Sequence, residues 1–324
     1  MIIPRFLKKN DTIGIVALSA GVGHKLESFG RSIVRLEDYF NTYETKSVRV
    51  NNVRANNPKQ RADEFNKLVN NDSIDFIMIA TGGDFLIEVL PYIDWQNIVN
   101  NPKFVMGYSD PTFLMYILTT KYDIATIYGL NAGSFDEDNF HPSLRNAIDI
   151  MQGNLIEQHS FDKFESNKNF DASAFNLDSN VNWININSEI IDVTGVMIGG
   201  CLDVISNIVG TKYDETKEFI KRYPSGLIWF FDVYEMNSIT LYITMIKMKY
   251  AGYFDNTKAI VFGRILFTQN SSEKEYIELL KKAFDIPIVF NADIGHTAPT
   301  MTIINGINTH LYVKEGKGVI KQWL

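Results

Sequence analysis

In the first half of the chain, short uninterrupted apolar runs alternate with stretches whose apolar residues recur at helical spacing. Thr12–Leu18 (TIGIVAL), Asp75–Ala80 (DFIMIA), Phe104–Tyr108 and Ala125–Leu130 (ATIYGL) read as buried strands, with a weaker one at Thr45–Val50. Helices are expected over Lys25–Tyr39 and over Pro58–Asn70, where a proline stands at the start and the apolar residues share one face. Strands that are apolar throughout and separated by helices predict a parallel sheet covered on both faces.

The pattern dissolves between Asn154 and Asn187, where DKFESNKNFDASAFNLDSNVNWININ mixes Asn, Asp and Ser with isolated aromatics and reads as a linker or long loop. Beyond it the alternation returns. A strand is expected at Ile191–Ile198, then Gly199-Gly200 and a helix from Cys201. Further strands are expected at Leu227–Val233, Ala259–Arg264 and Ile286–Phe290, and helices at Ser238–Tyr250 and Ser272–Phe284. The tail INTHLYVKEGKGVIKQWL alternates around Glu315-Gly316-Lys317-Gly318 as a β-hairpin does. The organisation predicted is an α/β domain over residues 1–153, a linker over 154–187 and a second α/β domain over 188–324.

Composition narrows the function. The 324 residues are 45% hydrophobic and 21% charged, which is ordinary for a globular protein. A net charge of -7, with lysines and arginines scattered among acids, disfavours a nucleic-acid partner. Cys201 is the single cysteine, so neither an internal disulfide nor a thiolate metal cluster can form. The opening MIIPRFLKKNDTIGIVAL has its basic residues after the first apolar ones, the wrong order for a secretory signal, and no run reaches membrane-spanning length. A soluble cytoplasmic protein is expected, without a membrane partner.

Candidate chemistry lies where strands end. In KFVMGYSDPTFLMYIL, Ser109 sits at a strand-to-helix corner, the sheet edge at which open α/β folds bind ligands. Gly107-Tyr108-Ser109-Asp110-Pro111 keeps the first glycine of the G-x-S-x-G nucleophile turn and has proline in place of the second. The same residues also spell a common helix start, Ser or Asp as cap followed by Pro; on these five residues alone the cap is favoured. Gly82-Gly83 after DFIMIA is either a tight turn or a backbone approach with N–H groups aimed at an oxyanion. Gly199-Gly200 reads as packing.

Of five histidines, His24, His141, His159 and His310 lie in polar contexts, where a solvated ring is the default. His296, in NADIGHTAPT, follows a strand and sits in a glycine-flanked loop. Asp232 closes the apolar run GLIWFFDVY, a costly place for an unpaired carboxylate; it is either a partner for a base or a strand-end cap, and Glu235 is the competing acid.

Taken in order along nearly the whole chain, these segments resemble the LD-carboxypeptidase family of serine peptidases, which includes the microcin C self-immunity proteins. The resemblance rests on the Asn10–Ile15 opening, TGGDFLIEVLPYIDW, NPKFVMGYSDPT, TGVMIGGCLDVISNIVGTKYD, GLIWFFDVYEMN, YAGYFDNTKAIVFGR and NADIGHTAPTM. It implies a Rossmann-like N-terminal domain and a smaller C-terminal α/β domain, with the active site in the cleft between them, no cofactor or metal, and commonly a homodimer. It also implies a catalytic triad of Ser109, His296 and an acid at 232, with an oxyanion hole from the backbone N–H groups of Gly83 and Asp110. The family acid is glutamate; here it is Asp232, one methylene shorter, so strand or histidine must shift to keep the bond. Restoring glutamate at 232 is expected to retain or raise activity. An arginine frequent in the following helix is replaced near Tyr242. The implied reaction releases a terminal D-amino acid from a murein tetrapeptide at its L–D bond in peptidoglycan recycling. The alternatives are hydrolysis of a peptidyl- or aminoacyl-nucleotide, and a homologue that binds a small ligand without turnover.

Overall fold

The apolar run at Thr12–Val16 forms β1, fully buried after its first residue. The structure is a computed structural model that describes residues 1–167 and 175–324, and these fall into two units, Met1–Asn154 and Leu155–Leu324.

In the first unit β1 is followed by α1 (Leu26–Glu37), β2 (Asn41–Glu44), α2 (Pro58–Val69), β3 (Phe76–Ile79), α3 (Trp95–Asn100), β4 (Phe104–Gly107), α4 (Thr112–Tyr122), β5 (Thr126–Tyr128) and α5 (Pro142–Met151). Within the unit the strands lie in the order β2-β1-β3-β4-β5, and every pairing is parallel. This is a doubly wound, Rossmann-like sheet. Its strand order reverses between β1 and β3, the kind of position at whose carboxyl edge open α/β sheets bind ligands. Helix boundaries have local causes: Asn57 caps α2 by accepting the Gln60 N–H, and Pro58 stands where no N–H is needed. The second strand is displaced from its expected place. Asn41–Glu44, not Thr45–Val50, pairs with β1, because an edge strand is set by its backbone partner and tolerates polar side chains.

In the second unit come β6 (Glu157–His159), β7 (Lys163–Phe164), β8 (Ser179–Asn180), β9 (Ile184–Ile186), β10 (Ile191–Cys201), α6 (Leu202–Ile205), α7 (Thr216–Arg222), β11 (Leu227–Asp232), α8 (Ser238–Tyr250), β12 (Thr257–Gly263), α9 (Glu273–Ala283), β13 (Ile288–Ala292), β14 (Ile303–Asn305), β15 (Asn308–Lys314) and β16 (Lys317–Trp323). An eight-stranded sheet runs β6-β16-β15-β10-β11-β12-β13-β9. Strands β10 to β13 are parallel and the flanking ones antiparallel. Asn237 caps α8, and Ser272 with Glu275 forms a reciprocal capping box on α9. The tail is the expected hairpin, turning at Glu315-Gly316.

Two expectations change here. The stretch 154–187 contributes β6 and β9 to the two ends of this sheet, and β7 pairs with β8. Edge pairing uses backbone groups, so it needs little apolar periodicity. Part of that stretch, 168–174, lies outside the described residues. The second unit accordingly is the longer of the two, not the smaller. Gly199 and Gly200 lie inside β10, not after it; a Cβ at Gly199 would stand 1.8 Å from the Phe230 carbonyl oxygen, so glycine at 199 serves strand packing. Among the described residues, no helix is long and apolar enough to cross a membrane.

Candidate active site

In the first unit three loops leave the carboxyl ends of neighbouring strands: residues 17–23 after β1, 80–88 after β3, and 108–111 after β4. Ser109 has φ = 71°, a left-handed backbone that a non-glycine residue adopts only when its surroundings impose it. Those surroundings are specific. Asn131, itself buried, brackets the Tyr108 peptide: Oδ1 accepts the Tyr108 N–H at 3.2 Å, and Nδ2 donates to the Tyr108 carbonyl at 3.4 Å. The Ser109 N–H donates to the Tyr128 hydroxyl at 3.3 Å. The Ser109 carbonyl then accepts the Thr112 N–H at 2.9 Å and starts the turn into α4.

No side chain caps α4. The expectation that Ser109 or Asp110 serves as a capping side chain is therefore corrected. A capping serine keeps an extended backbone, and the left-handed turn at Ser109 departs from that geometry. The Asp110 carboxylate is turned the other way and accepts the Leu86 N–H at 2.8 Å.

Gly82 and Gly83 face this corner. A Cβ on Gly82 would lie 3.1 Å from Ser109 Cβ and 3.2 Å from its Oγ. Gly83 has φ = 143°, and a Cβ there would stand 2.4 Å from Ser19 Oγ, so both conformation and space require glycine. The loop is tied down from beneath. Ser19 Oγ accepts the Phe85 N–H at 3.0 Å, and the Ala20 N–H donates to the Gly82 carbonyl at 3.2 Å. The fully buried Arg61 donates to the carbonyls of Leu18 (2.6 Å) and Phe85 (3.2 Å) and pairs with Glu88 at 3.1 Å. Burial pushes the Asp110 carboxyl up to about 6, against hydrogen bonds from Ser19 and from the Leu86 N–H that favour the charged form.

In the second unit Asp232 ends β11 without solvent exposure, opposite Cys201 of β10. Its Oδ2 lies 2.7 Å from His296 Nδ1, and its Oδ1 accepts the His296 backbone N–H at 3.2 Å. The loop after β13 thus holds Asp232 through both ring and backbone. Gly295 makes this possible: φ is 101°, and a Cβ there would stand 2.0 Å from Asp232 Oδ1. The shorter acid reaches the imidazole because the histidine loop lies down upon it. The Tyr234 ring packs against the imidazole, centroids 4.8 Å apart at 55°, and against Phe267 edge to face. Asp203 fixes the backbone there by accepting the N–H groups of Tyr234 (2.9 Å) and Glu235 (3.1 Å). Burial, together with Asp232 and Asp203, pushes the Cys201 thiol well up and keeps it neutral beside the pair.

The chain matches the LD-carboxypeptidase N-terminal domain over residues 13–129 and the LD-carboxypeptidase C-terminal domain over residues 194–311. It is also 30% identical over 279 residues to the microcin C7 self-immunity protein MccF of Escherichia coli, covering 78% of this chain and 76% of MccF. The chain belongs to the LD-carboxypeptidase family. YocD of Bacillus subtilis, provisionally named a carboxypeptidase, is 24% identical over 311 residues, 91% of each chain. A solved MccF mutant with adenosine monophosphate superimposes with a TM-score of 0.82 at 26% identity, covering 100% of this chain and 99% of MccF. The MccF-like protein of Bacillus anthracis shares the fold at a TM-score of 0.85 and 22% identity, covering 99% of each. The family and the names of these relatives suggest a hydrolase.

The remaining candidates of this family member have other duties. Glu235 is exposed and accepts from Gln269 at 2.8 Å. His141 caps α5, its ring accepting the Ser143 N–H, and burial lowers its pKa. His159 pairs with Glu157 and His310 with Asp192. Several supporting residues escape sequence reasoning: Ser19, Arg61, Asn131, Asp203 and Asp293. Each is an ordinary polar residue whose role depends on distant loops, although Asp293, three residues before His296, could have drawn attention as an acid closing an apolar strand.

Asp293 is fully buried and paired with Arg264, whose guanidinium lies 4.4 Å from the Phe164 ring centre. Its Oδ2 also accepts the Phe161 N–H and the Trp183 indole N–H, both at 3.0 Å. Burial raises its pKa despite the arginine. This cluster ties Phe161, Phe164 and Trp183 to the histidine loop. Asp293→Ala, which strands a buried guanidinium, is expected to cost about 3–5 kcal/mol in urea unfolding; Asp293→Asn, which keeps the acceptor, is expected to cost less.

Proposed function

We propose that this protein is a serine peptidase of LD-carboxypeptidase type, with Ser109 as nucleophile, His296 as base and Asp232 as the acid that orients it. The observation that carries the reading is the 2.7 Å contact between His296 Nδ1 and the buried Asp232 carboxylate. A carboxylate on Nδ1 fixes the imidazole with Nε2 unprotonated, ready to accept a proton.

In the proposed reaction, Ser109 Oγ attacks an amide carbonyl while its proton passes to His296 Nε2. Asp232 stabilises the imidazolium that results. The N–H groups of Gly83 and Asp110 donate to the tetrahedral oxyanion, each worth roughly 3 kcal/mol in such sites. His296 then returns the proton to the leaving amine, and water hydrolyses the acyl-enzyme by the same route. No cofactor enters the reaction.

The substrate proposed is a murein tetrapeptide, cut at its L–D bond to release a terminal D-amino acid. The likeness to MccF at 30% identity favours a second reading, hydrolysis of an aminoacyl-nucleotide, since MccF has been solved with adenosine monophosphate and with aspartyl sulfamoyl adenosine. Purified protein offered each compound separately decides between them. D-alanine release from the tetrapeptide is expected; aspartate release from the nucleotide analogue alone transfers the assignment to the second reading. Turnover of neither, with no labelling of Ser109 by a fluorophosphonate, would leave a ligand-binding homologue and overturn the peptidase assignment.

A further inference from the structure

Asp110 lies at the junction of the three loops after β1, β3 and β4, and its side chain does something different from its backbone. The carboxylate accepts the Leu86 N–H at 2.8 Å and a hydrogen bond from the Ser19 hydroxyl. Ser19 in turn accepts the Phe85 N–H at 3.0 Å and lies directly against the Gly83 Cα, where a methyl group would not fit. One buried carboxylate thus grips the Gly82–Gly83 loop at two points, through Leu86 and through Ser19. Its own peptide N–H stands at the start of α4, beside Ser109.

We propose that the Asp110 side chain is a positioning residue that sets the spacing between the Gly83 N–H and the Asp110 N–H. This rests on the reading of those two groups as oxyanion donors. The residue that carries one donor also holds the loop that carries the other, so the two move together.

The charges facing this carboxyl are Arg61, beneath the same loop, which favours the ionised form, and Asp84, which opposes it. Ordinary protein stability does not ask for an ionised group here. A carboxyl held at about 6 by burial contributes stability that is fully present below its ordinary value of 3.8 and is lost as pH rises through 6. Removing the charge while keeping an acceptor removes that loss. Asp110→Asn should therefore melt higher than wild type at pH 8, by roughly 5 °C, and within about a degree of it at pH 4. A carboxylate whose ionised form stabilises the fold would give the opposite sign at pH 8.

The decisive measurement is the amide resonance of Gly83 in ¹⁵N-labelled Ser109→Ala protein between pH 5 and 8, which needs no substrate and no turnover. The Gly83 resonance is expected to move with a midpoint near pH 6 and to lose that movement in Ser109→Ala/Asp110→Asn protein. In parallel, Asp110→Asn and Ser19→Ala are each expected to lower kcat at pH 8 by 10- to 100-fold with KM within threefold. Should Asp110→Asn not fold, Ser19→Ala carries both measurements, since it cuts the same link from the other side. A Gly83 resonance that stays fixed while that of Leu86 titrates would overturn the proposal, as would full kcat in Asp110→Asn. Absence of turnover in wild type would refute the peptidase reading alone and leave the resonance experiment to decide the coupling.

Discussion

Ser109→Ala is expected to lower hydrolysis roughly 10⁴- to 10⁶-fold in kcat while leaving the unfolding free energy near that of wild type. Removing Oγ takes away the proposed nucleophile, and residual turnover would then reflect only oxyanion stabilisation and binding. Stability is little affected because alanine meets the same left-handed backbone at φ = 71° that serine does, held by the same hydrogen bonds from and to Asn131 and Tyr128. Ser109→Gly separates the two effects. It is equally inactive but relieves the backbone, so it should unfold about 1 kcal/mol later in urea than Ser109→Ala. If Ser109→Gly were no more stable than Ser109→Ala, the strain at this corner would not be real. If Ser109→Ala kept more than a few per cent of wild-type kcat, another group would be the nucleophile.

Asp232→Glu is the second large effect, and its expected direction reverses the one read from sequence. From the chain alone, glutamate at 232 restores the family acid and should retain or raise activity. In the fold, Oδ1 and Oδ2 of Asp232 are already engaged by the backbone N–H and ring of His296, and Gly295 lies against Oδ1 with no space even for a methyl group. An added methylene at a fully buried position must push the carboxylate into this loop and turn the imidazole away. Asp232→Glu is therefore expected to lose roughly 10²- to 10³-fold in kcat. Asp232→Asn, which keeps the shape but removes the charge and favours the wrong tautomer, is expected to lose about 10⁴-fold. Wild-type rates in Asp232→Glu would show that the histidine loop adapts to either acid.

The two halves of the candidate site were legible to different degrees. Strands such as DFIMIA and LIWFFD declare themselves because a strand buried on both faces admits almost no polar residue, so their carboxyl ends, and the residues just past them, can be located. Gly82-Gly83, Ser109, Asp232 and His296 stand out as candidates for this reason. The local cap reading of Ser-Asp-Pro failed because a side chain's target is chosen by what lies near it in space: the Asp110 carboxylate found the Leu86 N–H, 24 residues earlier, in place of the helix beside it. The stretch 154–187 misled for a related reason. Strands β6 and β9 pair at sheet edges through backbone groups, which no side-chain pattern reports.

By itself, then, the sequence determined the α/β class, the alternation of buried strands with helices, and the residue types available at each strand end. Those follow from local physics: period, burial and turn chemistry act over a few residues. Only the tertiary structure decided that Asp232 reaches His296 despite the missing methylene, that Gly295 must be glycine, and that the Asp110 side chain grips the Gly83 loop. These depend on contacts of about 3 Å between segments tens of residues apart, and distances of that kind exist only after the chain has packed.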